Sequence, residues 1–447
     1  MAEVLRSLGL DVGTTSTQMV LSELTVENRA GSFAVPEMEI ADRKILYKSP
    51  VHLTPLIREE LVDAEKIREI LDGEYRNAGI TRDRVDTGAV IITGETGRKE
   101  NARAVLEAIS AYAGDFVVAT AGPDLESVLA ARGSGAVSWS EKTGKSVLHM
   151  DIGGGTANFA RIEAGRIAAT GCMNVGGRLL KIEPDGRLDY VSPVLEGLFH
   201  KRTGDYVNRE EVAGLARTLT CALEMAAGLR EWTGLADSLV TAGTARPVRG
   251  LVPGEGKDLV ISFSGGVADC IKEEKPWLCY GDMGPELGAA IRESLLCQGD
   301  FILGRETIRA TVIGAGCHSA QLSGSTVFCQ NVALPLKNLQ VVERLEDLPA
   351  LDGPGVVAME GISAPDYEAV AELAEKIRKG HSGELLILAL QQDMAKALGQ
   401  QLALKMGTNA RILCLDRVKL KPGDYLDVGA AVGSAYPIVV KTLVLGG

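Results

Sequence analysis

Two short segments of the sequence combine an aspartate, glycines and hydroxyl side chains in the same order. They read Asp11-Val12-Gly13-Thr14-Thr15-Ser16 and Asp151-Ile152-Gly153-Gly154-Gly155-Thr156. Glycines let a turn approach a polyphosphate closely, so backbone N–H groups and the hydroxyls can donate to its oxygens. The aspartates would repel phosphate, but they suit a hydrated Mg²⁺, which prefers one or two carboxylates plus water. The pattern therefore predicts that Asp11 and Asp151 hold Mg²⁺ on a bound nucleotide.

The two segments are spaced by about the length of one domain. Asp11 and Asp151 are 140 residues apart, and each segment lies between two strand-like runs, so each is expected to be the turn of a β-hairpin. A repeat of this kind is typical of a duplicated fold. Two facing hairpins would clamp a nucleotide between two domains, and their aspartates would face each other across the empty cleft without structural partners.

A third element is suited to the base of the nucleotide. The apolar run Val260 to Phe263 ends in Ser264-Gly265-Gly266 before a helical segment. A strand that ends in two glycines leaves a flat backbone surface on which an adenine can lie, so Gly265 and Gly266 are the predicted contacts. Residues 310–326 are an alternative, since they read as a strand, a glycine turn and the start of a helix. The order of the elements that follow favours 260–269.

Other nucleotide motifs fail on single positions. Gly144-Lys145-Ser146 could end a P-loop, but Trp139 stands where the first glycine is needed. The glycine run of the second segment lacks the last glycine of a dinucleotide fingerprint, because that position is Asn158. The eight cysteines form no Cys-x-x-Cys pair, which favours reduced thiols in a cytoplasmic protein over a metal or Fe–S site.

The composition bounds the class of protein. With 447 residues, the chain is long enough for about three domains. Its net charge of −12 repels phosphate backbones, which argues against nucleic acid as a partner. The longest aliphatic run, 385–390, is far too short to span a bilayer, so no membrane association is expected. Strands alternate with helices along the chain, and this alternation predicts an α/β fold.

The three glycine-rich elements together resemble the two phosphate motifs and the adenosine motif of the actin, sugar-kinase and heat-shock-chaperone ATPase superfamily. The resemblance implies an actin-like ATPase fold with duplicated ribonuclease-H-like domains, which bind ATP with Mg²⁺. The two ATPase domains would cover 1–140 and 141–297, and 298–447 would be an additional α/β region whose role the sequence does not reveal. Residues 124–136 resemble the first connecting helix of the superfamily, and residues 284–291 resemble the second. Both segments carry small side chains at helical spacing, so the two helices are expected to cross closely between the domains.

Within the superfamily, the whole chain resembles the ethanolamine ammonia-lyase reactivating factors, the EutA family. The closer resemblance lies in residues 92–102, 121–127, 314–326 and 331–338. It implies an ATP-dependent, chaperone-like protein of ethanolamine utilisation that releases damaged cobalamin from inactivated ethanolamine ammonia-lyase, so that intact adenosylcobalamin can bind. The sequence has no Asp-x-His-x-x-Gly motif, so the cobalamin is expected to belong to the partner enzyme.

Glu126 is the candidate catalytic residue. It lies where the superfamily often has a carboxylate that orients or deprotonates the attacking water, which would make the protein a slow ATPase coupled to reactivation. The alternative is a carboxylate that only stabilises the start of a helix. Two other functions stay open at this point: a small-molecule kinase, which would need an acceptor pocket with its own base, and a filament or scaffold ATPase. Self-association and residence in a bacterial microcompartment also stay open.

Overall fold

The structure of the protein is a computed structural model. It covers residues 3–13, 16–28, 38–58, 61–92, 117–120, 123–241, 248–249, 251–252, 259–318, 321–323, 327–351, 353–420, 424–429 and 436–442. These residues form sheets of six, five and eight strands and two two-stranded ribbons, with helices packed against the sheets. The predicted α/β class is therefore confirmed. In the part of the chain just given, no helix is both long and apolar enough to cross a membrane.

The first sheet has the order β3-β2-β1-β7-β8, and β4 pairs with β2. Strands β1, β2 and β3 are antiparallel neighbours, whereas β7 and β8 run parallel to β1. Helix α1 covers the sheet with one face, because Ile67 and Leu71 are one turn apart and both buried. The elements are β1 (Glu3–Val12), β2 (Ser16–Asn28), β3 (Met38–Lys48), β4 (His52–Leu53), the ribbon β5 (Leu56–Arg58) and β6 (Leu61–Val62), α1 (Ala64–Asn77), the 3₁₀ turn Arg82–Arg84, β7 (Thr87–Ile92) and β8 (Val117–Thr120).

The second sheet repeats this topology. Its order is β11-β10-β9-β14-β15, with β9, β10 and β11 antiparallel and β14 and β15 parallel to β9. Its edge strand β15 lies past the domain boundary predicted at residue 297. The elements are α2 (Pro123–Gly133), α3 (Ala136–Thr143), β9 (Val147–Ile152), β10 (Ala157–Glu163), β11 (Arg166–Met173), the ribbon β12 (Leu180–Ile182) and β13 (Leu188–Val191), the 3₁₀ turn Pro193–Leu195, α4 (Arg209–Ala226), α5 (Gly234–Leu239), β14 (Val260–Ser264), α6 (Gly266–Lys272), α7 (Gly284–Arg292), the 3₁₀ turn Leu295–Cys297, and β15 (Phe301–Leu303).

The third sheet has a different topology, with the order β16-β23-β22-β18-β19-β20-β21-β17. Strands β18 to β21 are parallel in sequence order, and the remaining pairs are antiparallel. Two helices cover one face of the parallel strands. The elements are α8 (Ala310–His318), β16 (Gln321–Ser323), β17 (Phe328–Gln330), β18 (Leu336–Val342), the 3₁₀ turn Leu345–Ala350, β19 (Gly355–Met359), α9 (Tyr367–Gly380), β20 (Leu385–Leu390), α10 (Ala395–Met406), β21 (Arg411–Leu415), β22 (Asp424–Val428) and β23 (Tyr436–Thr442).

Helix α8 corrects two predictions. Residues 310–313, which read as a strand, form the start of this helix, and α8 rather than α7 crosses α2 at close range. A Cβ added to Gly133 would overlap the carbonyl oxygen of Ala310, and one added to Gly314 would overlap that of Leu129. The small residues of α7 serve another contact, since a Cβ on its Gly288 would clash with Cys270 of α6. Helix α7 thus uses its small residues to pack against α6, the helix that follows β14 of the second sheet.

Helix α8 also touches the first sheet. The hydroxyl of Ser7 in β1 donates to the carbonyl oxygen of Gly316, and Gly9 and Gly316 are in backbone contact. Because α8 packs on α2 and β1 at once, it joins the helix that precedes the second hairpin to the strand that carries the first. Its glycines are needed for these close approaches rather than for a turn.

Candidate nucleotide-binding site

The first predicted phosphate turn closes the hairpin of β1 and β2. Asp11 lies next to the end of β1, opposite Gln18, and is 9% exposed. The N–H of Gly13 donates to the carbonyl oxygen of Ser16 at 2.9 Å, and the carbonyl oxygen of Gly13 accepts from the hydroxyl of Thr54 at 2.7 Å. The turn is thus held by its own backbone bond and by the hydroxyl of Thr54, the residue that follows β4. The other two predicted hydroxyl donors, Thr14 and Thr15, lie outside the described residues.

The second predicted turn has the same geometry. Asp151 lies opposite Asn158, as Asp11 lies opposite Gln18. The N–H of Gly153 donates to the carbonyl oxygen of Thr156 at 2.9 Å, and this bond corresponds to the one from Gly13 to Ser16 in the first turn. Gly154 is half-buried and Gly155 is exposed, with open space where a side chain would be. The backbone at this turn is therefore accessible to a ligand, as a phosphate site requires.

Asp151 has structural partners, contrary to the expectation from the sequence. The hydroxyl of Ser264 donates to its Oδ1, and the hydroxyl of Thr311 donates to its Oδ2 at 3.3 Å. Burial raises the pKa of Asp151 to about 6, although both hydroxyls act in the opposite direction. Thr311 belongs to α8, so the carboxylate of the second hairpin is bonded to the helix that packs on the first sheet.

A buried polar network extends from Asp151 into the sheet. His149 is fully buried two residues earlier, with Nε2 2.9 Å from the hydroxyl oxygen of Ser264 and Nδ1 3.1 Å from that of Ser262. Ser264 gives its one proton to Asp151, so Nε2 must donate to Ser264 and Nδ1 must accept from Ser262. Burial lowers the pKa of His149 to about 3, and the ring is neutral. This network lies outside the predicted motifs. The sign of it in the sequence is that His149 and Asp151 in β9, like Ser262 and Ser264 in β14, are two residues apart and so share a face of the sheet.

The predicted adenosine turn lies beside the second hairpin. Strand β14 is parallel to β9, and Ser264 is paired with Asp151, so both turns emerge at the same edge of the sheet. Gly265 has a φ of +86°, and a Cβ there would clash with the carbonyl oxygen of Ile152, so the position requires glycine. Gly266 starts α6 directly after it.

Residues 307–311 connect all three turns. The carbonyl oxygen of Thr307 accepts from the N–H of Gly265 at 3.0 Å, and the carbonyl oxygen of Ile308 accepts from the side-chain amide of Gln18 at 3.3 Å. Thr311 adds the bond to Asp151 already described. This segment overlaps the alternative adenosine element of the sequence analysis, and in the structure it ties the two hairpins and the Gly265 turn to one another.

Glu126 lies next to the second hairpin rather than on an open helix end. It is in the first turn of α2, is 7% exposed, and its Oε2 accepts from Nδ2 of Asn158 at 2.9 Å. Asn158 is the residue opposite Asp151. The side-chain amide oxygens of Asn158 (Oδ1) and Gln18 (Oε1) are buried without a hydrogen-bond partner among the described residues. The two hairpins therefore each hold an aspartate opposite a carboxamide with an unsatisfied oxygen.

Comparison with known proteins gives matches over almost the whole chain. The family model for "Ethanolamine utilisation protein EutA" matches residues 3–351 and 348–446. The protein is similar to the ethanolamine ammonia-lyase reactivases EutA of Salmonella typhimurium, at 35% identity, and of Escherichia coli, at 36% identity. Each alignment covers 98% of both chains.

Solved structures resemble the chain more distantly. The PPX-GPPA enzyme of Aquifex aeolicus has a TM-score of 0.43 and 14% identity over 70% of this chain and 99% of its own. The ethanolamine utilization protein EutJ from Carboxydothermus hydrogenoformans has a TM-score of 0.35 and 17% identity over 70% of this chain and 89% of its own. The family match and the full-length relatives confirm the resemblance read from the sequence, and the chain belongs to the EutA family.

Proposed function

We propose that this protein is an ATP-dependent reactivase, which releases damaged cobalamin from inactivated ethanolamine ammonia-lyase so that intact adenosylcobalamin can bind. The observation that carries the proposal is the repeated hairpin with its buried aspartate, in a chain that matches EutA reactivases from end to end. The hairpins supply the elements of a nucleotide clamp, and the full-length match supplies the partner enzyme.

The donor set of the two hairpins fits Mg²⁺. Asp11 and Asp151 provide one carboxylate each, and the unsatisfied carboxamide oxygens of Gln18 and Asn158 can accept from water on the ion. Bound there, Mg²⁺ would neutralise phosphate charge. The described part of the chain has no cluster of three or more His, Cys, Asp or Glu side chains that could hold a metal ion, so the remaining ligands would be water and phosphate.

The other predicted residues would hold the nucleotide around this centre. The N–H groups of Gly154 and Gly155 would donate to phosphate, as would the hydroxyls of Ser16 and Thr156, and Thr14 and Thr15 stay predicted donors of the first turn. Gly13 and Gly153, whose N–H groups close the two turns, would let the backbone approach the phosphates. The backbone of Gly265 and Gly266 would support the adenine. Glu126 would orient or deprotonate the attacking water, and the amide of Asn158 would fix its carboxylate.

Helix α8 is suited to couple nucleotide binding to a change in the partner. Its Thr311 contacts the second hairpin, and its Gly316 contacts β1 of the first. A nucleotide that draws the two aspartates toward one metal would therefore pull on both ends of the same helix. That movement would be the means by which ATP acts on the cobalamin enzyme, while the cobalamin itself stays in the partner.

A mixing assay tests the proposal. Ethanolamine ammonia-lyase inactivated with hydroxocobalamin is incubated with this protein, MgATP and adenosylcobalamin, and ammonia release is followed. Activity should return only in the complete mixture, and ADP in place of ATP should fail to support turnover over many cycles. Recovery that is equal without nucleotide would contradict the proposal. Phosphate transfer to a small acceptor would instead identify a kinase, and nucleotide-dependent sedimentation would identify a filament.

The cellular setting follows from the same proposal. A protein that serves ethanolamine ammonia-lyase would act in the cytoplasm, in association with a bacterial microcompartment. Fractionation of cells that express both proteins should recover them together. Self-association stays a prediction that sedimentation velocity with and without MgATP would test.

A further inference from the structure

A loop outside the predicted motifs, residues 176–178, lies directly against the second phosphate turn. The N–H of Gly177 donates to the carbonyl oxygen of Gly153 at 2.9 Å, and the N–H of Arg178 donates to that of Gly154 at 2.6 Å. A Cβ on Gly176 would clash with the backbone of Gly154, so the two segments can meet only with glycine there. The main chain of Arg178 is thus fixed at the turn proposed to hold phosphate.

The side chain of Arg178 is held from one side only. Its Nε donates to Oδ2 of Asp282 at 3.1 Å, and Oδ1 of Asp282 accepts from the N–H of Gly284 at the start of α7. The arginine side chain is 27% exposed, whereas that of Asp282 is 10% exposed. Among the described residues, the terminal N–H groups of Arg178 have no further hydrogen bond or ion pair. They are available to a ligand.

Charge gives the reason for such a group. Asp11 and Asp151 place two carboxylates at the turns, while a nucleoside triphosphate brings several negative charges of its own. Arginine binds phosphate oxygens with a planar fork of N–H donors. Arg178 is a basic residue whose own main chain is bonded to the second turn, at the carbonyl oxygen of Gly154.

We propose that Arg178 binds the phosphate groups of a nucleoside polyphosphate at the second turn, with Asp282 as the positioning residue that holds its guanidinium there. This inference rests on the proposed function and adds to it a cationic phosphate ligand outside the predicted motifs. Asp282 fixes the Nε side of the fork, which leaves the opposite side for phosphate oxygens.

Calorimetric titration with adenosine, MgADP and MgATP tests the inference. Arg178→Gln should weaken MgATP binding about tenfold or more, because a charge-assisted bond is lost, and should leave adenosine binding unchanged. Salt should also weaken MgATP binding less in this variant than in the unmodified protein. Arg178→Lys keeps the charge and should give a smaller loss. It provides the same comparison if the glutamine variant does not fold.

Arg209→Gln is the matched control. Arg209 also pairs through Nε with a buried acid of α7, Glu286 at 2.8 Å, but it makes no bond to the described residues of the phosphate turns. It should leave all three affinities unchanged. If Arg178→Gln and the unmodified protein bound MgATP equally well, the role of Arg178 would be refuted while the proposed function would stand. Equal losses of affinity for adenosine and for MgATP would have the same consequence. An unmodified protein that binds no nucleotide would overturn the proposed function together with this inference.

Discussion

Replacing Asp151 with asparagine separates the charge of this residue from its contacts. The side chain is 8% exposed and accepts from Ser264 and Thr311. Asparagine has nearly the same size, its amide oxygen can accept from Ser264, and its N–H can donate to the hydroxyl oxygen of Thr311. The substitution therefore removes the carboxylate that would bind Mg²⁺ while both hydrogen-bonded neighbours keep a partner.

The expected change in stability follows from the raised pKa. The pKa of an aspartate in an unfolded chain is 3.8, whereas burial raises the pKa of Asp151 in the folded protein to about 6. Below pH 3.8 the Asp151 carboxyl is protonated in both the folded and the unfolded protein, so it does not change the free energy of unfolding. Between pH 3.8 and 6 the unfolded chain loses this proton while the folded protein keeps it, so the free energy of unfolding falls. The loss amounts to roughly 3 kcal/mol at pH 7.5, where the folded protein carries the buried charge. Roughly half of that loss is already present at pH 5. Asp151→Asn removes it, so the variant should gain stability over the unmodified protein as pH rises.

Melting curves at pH 5 and pH 7.5, with and without MgATP, measure both effects. Without ligand, the melting temperature of Asp151→Asn relative to the unmodified protein should be higher at pH 7.5 than at pH 5. The shift produced by MgATP should be smaller in the variant, because a metal ligand is lost. Asp366→Asn is the control, since this N-cap lies in the third sheet's helix layer and asparagine caps as well as aspartate. Two results together would refute the buried charge and the metal role: a melting temperature of Asp151→Asn that falls relative to the unmodified protein as pH rises, and an MgATP-induced shift in melting temperature that is as large as in the unmodified protein.

Three further outcomes are expected. MgATP at a hundredfold excess over its Kd should stabilise the folded protein by about 2.7 kcal/mol, and the absence of any thermal shift would contradict nucleotide binding. Glu126→Gln should keep MgATP affinity and lose about 10²–10⁴ in hydrolysis rate, since the amide of Asn158 can still donate to the glutamine oxygen; unchanged turnover would leave Glu126 a structural carboxylate. Gly314→Ala would place a methyl group against the carbonyl oxygen of Leu129 and should destabilise the fold by about 1–3 kcal/mol. Gly73→Ala is the control, because there is open space around Gly73. Equal melting temperatures for the two variants would contradict the close crossing of α8 and α2.

The duplicated hairpins could be predicted because their signal is local. Alternation of polar and apolar residues defines the strands, and the glycines between them allow one type of turn. Both turns close with the same N–H to carbonyl bond, at Gly13 and at Gly153, so the internal repeat in the sequence corresponds to a repeat in geometry. The parallel strands β7 and β14 complete the same sheet order in both halves.

Helix α8 could not be predicted because its local signal is misleading. Thr311, Val312 and Ile313 are β-branched, and such residues favour strands. The segment is a helix because its glycines fit against the backbones of Gly9 and Leu129, which lie far away in the sequence. Tertiary packing has overridden local propensity here, as often happens in short apolar segments.

The chemistry of the site depends even more on distant residues. The sequence identifies Asp151 as a candidate metal ligand, but the pKa of its carboxyl is set by its burial and by two hydroxyls that are 113 and 160 positions away. Ser264 is itself oriented by His149, which receives its own hydrogen bond from Ser262 in the neighbouring strand. A motif can therefore name the residue that carries the charge. The packing of β9, β14 and α8 around Asp151 determines the pKa of its carboxyl. The same packing determines that α8 is the helix in contact with the carboxylate that would bind the metal.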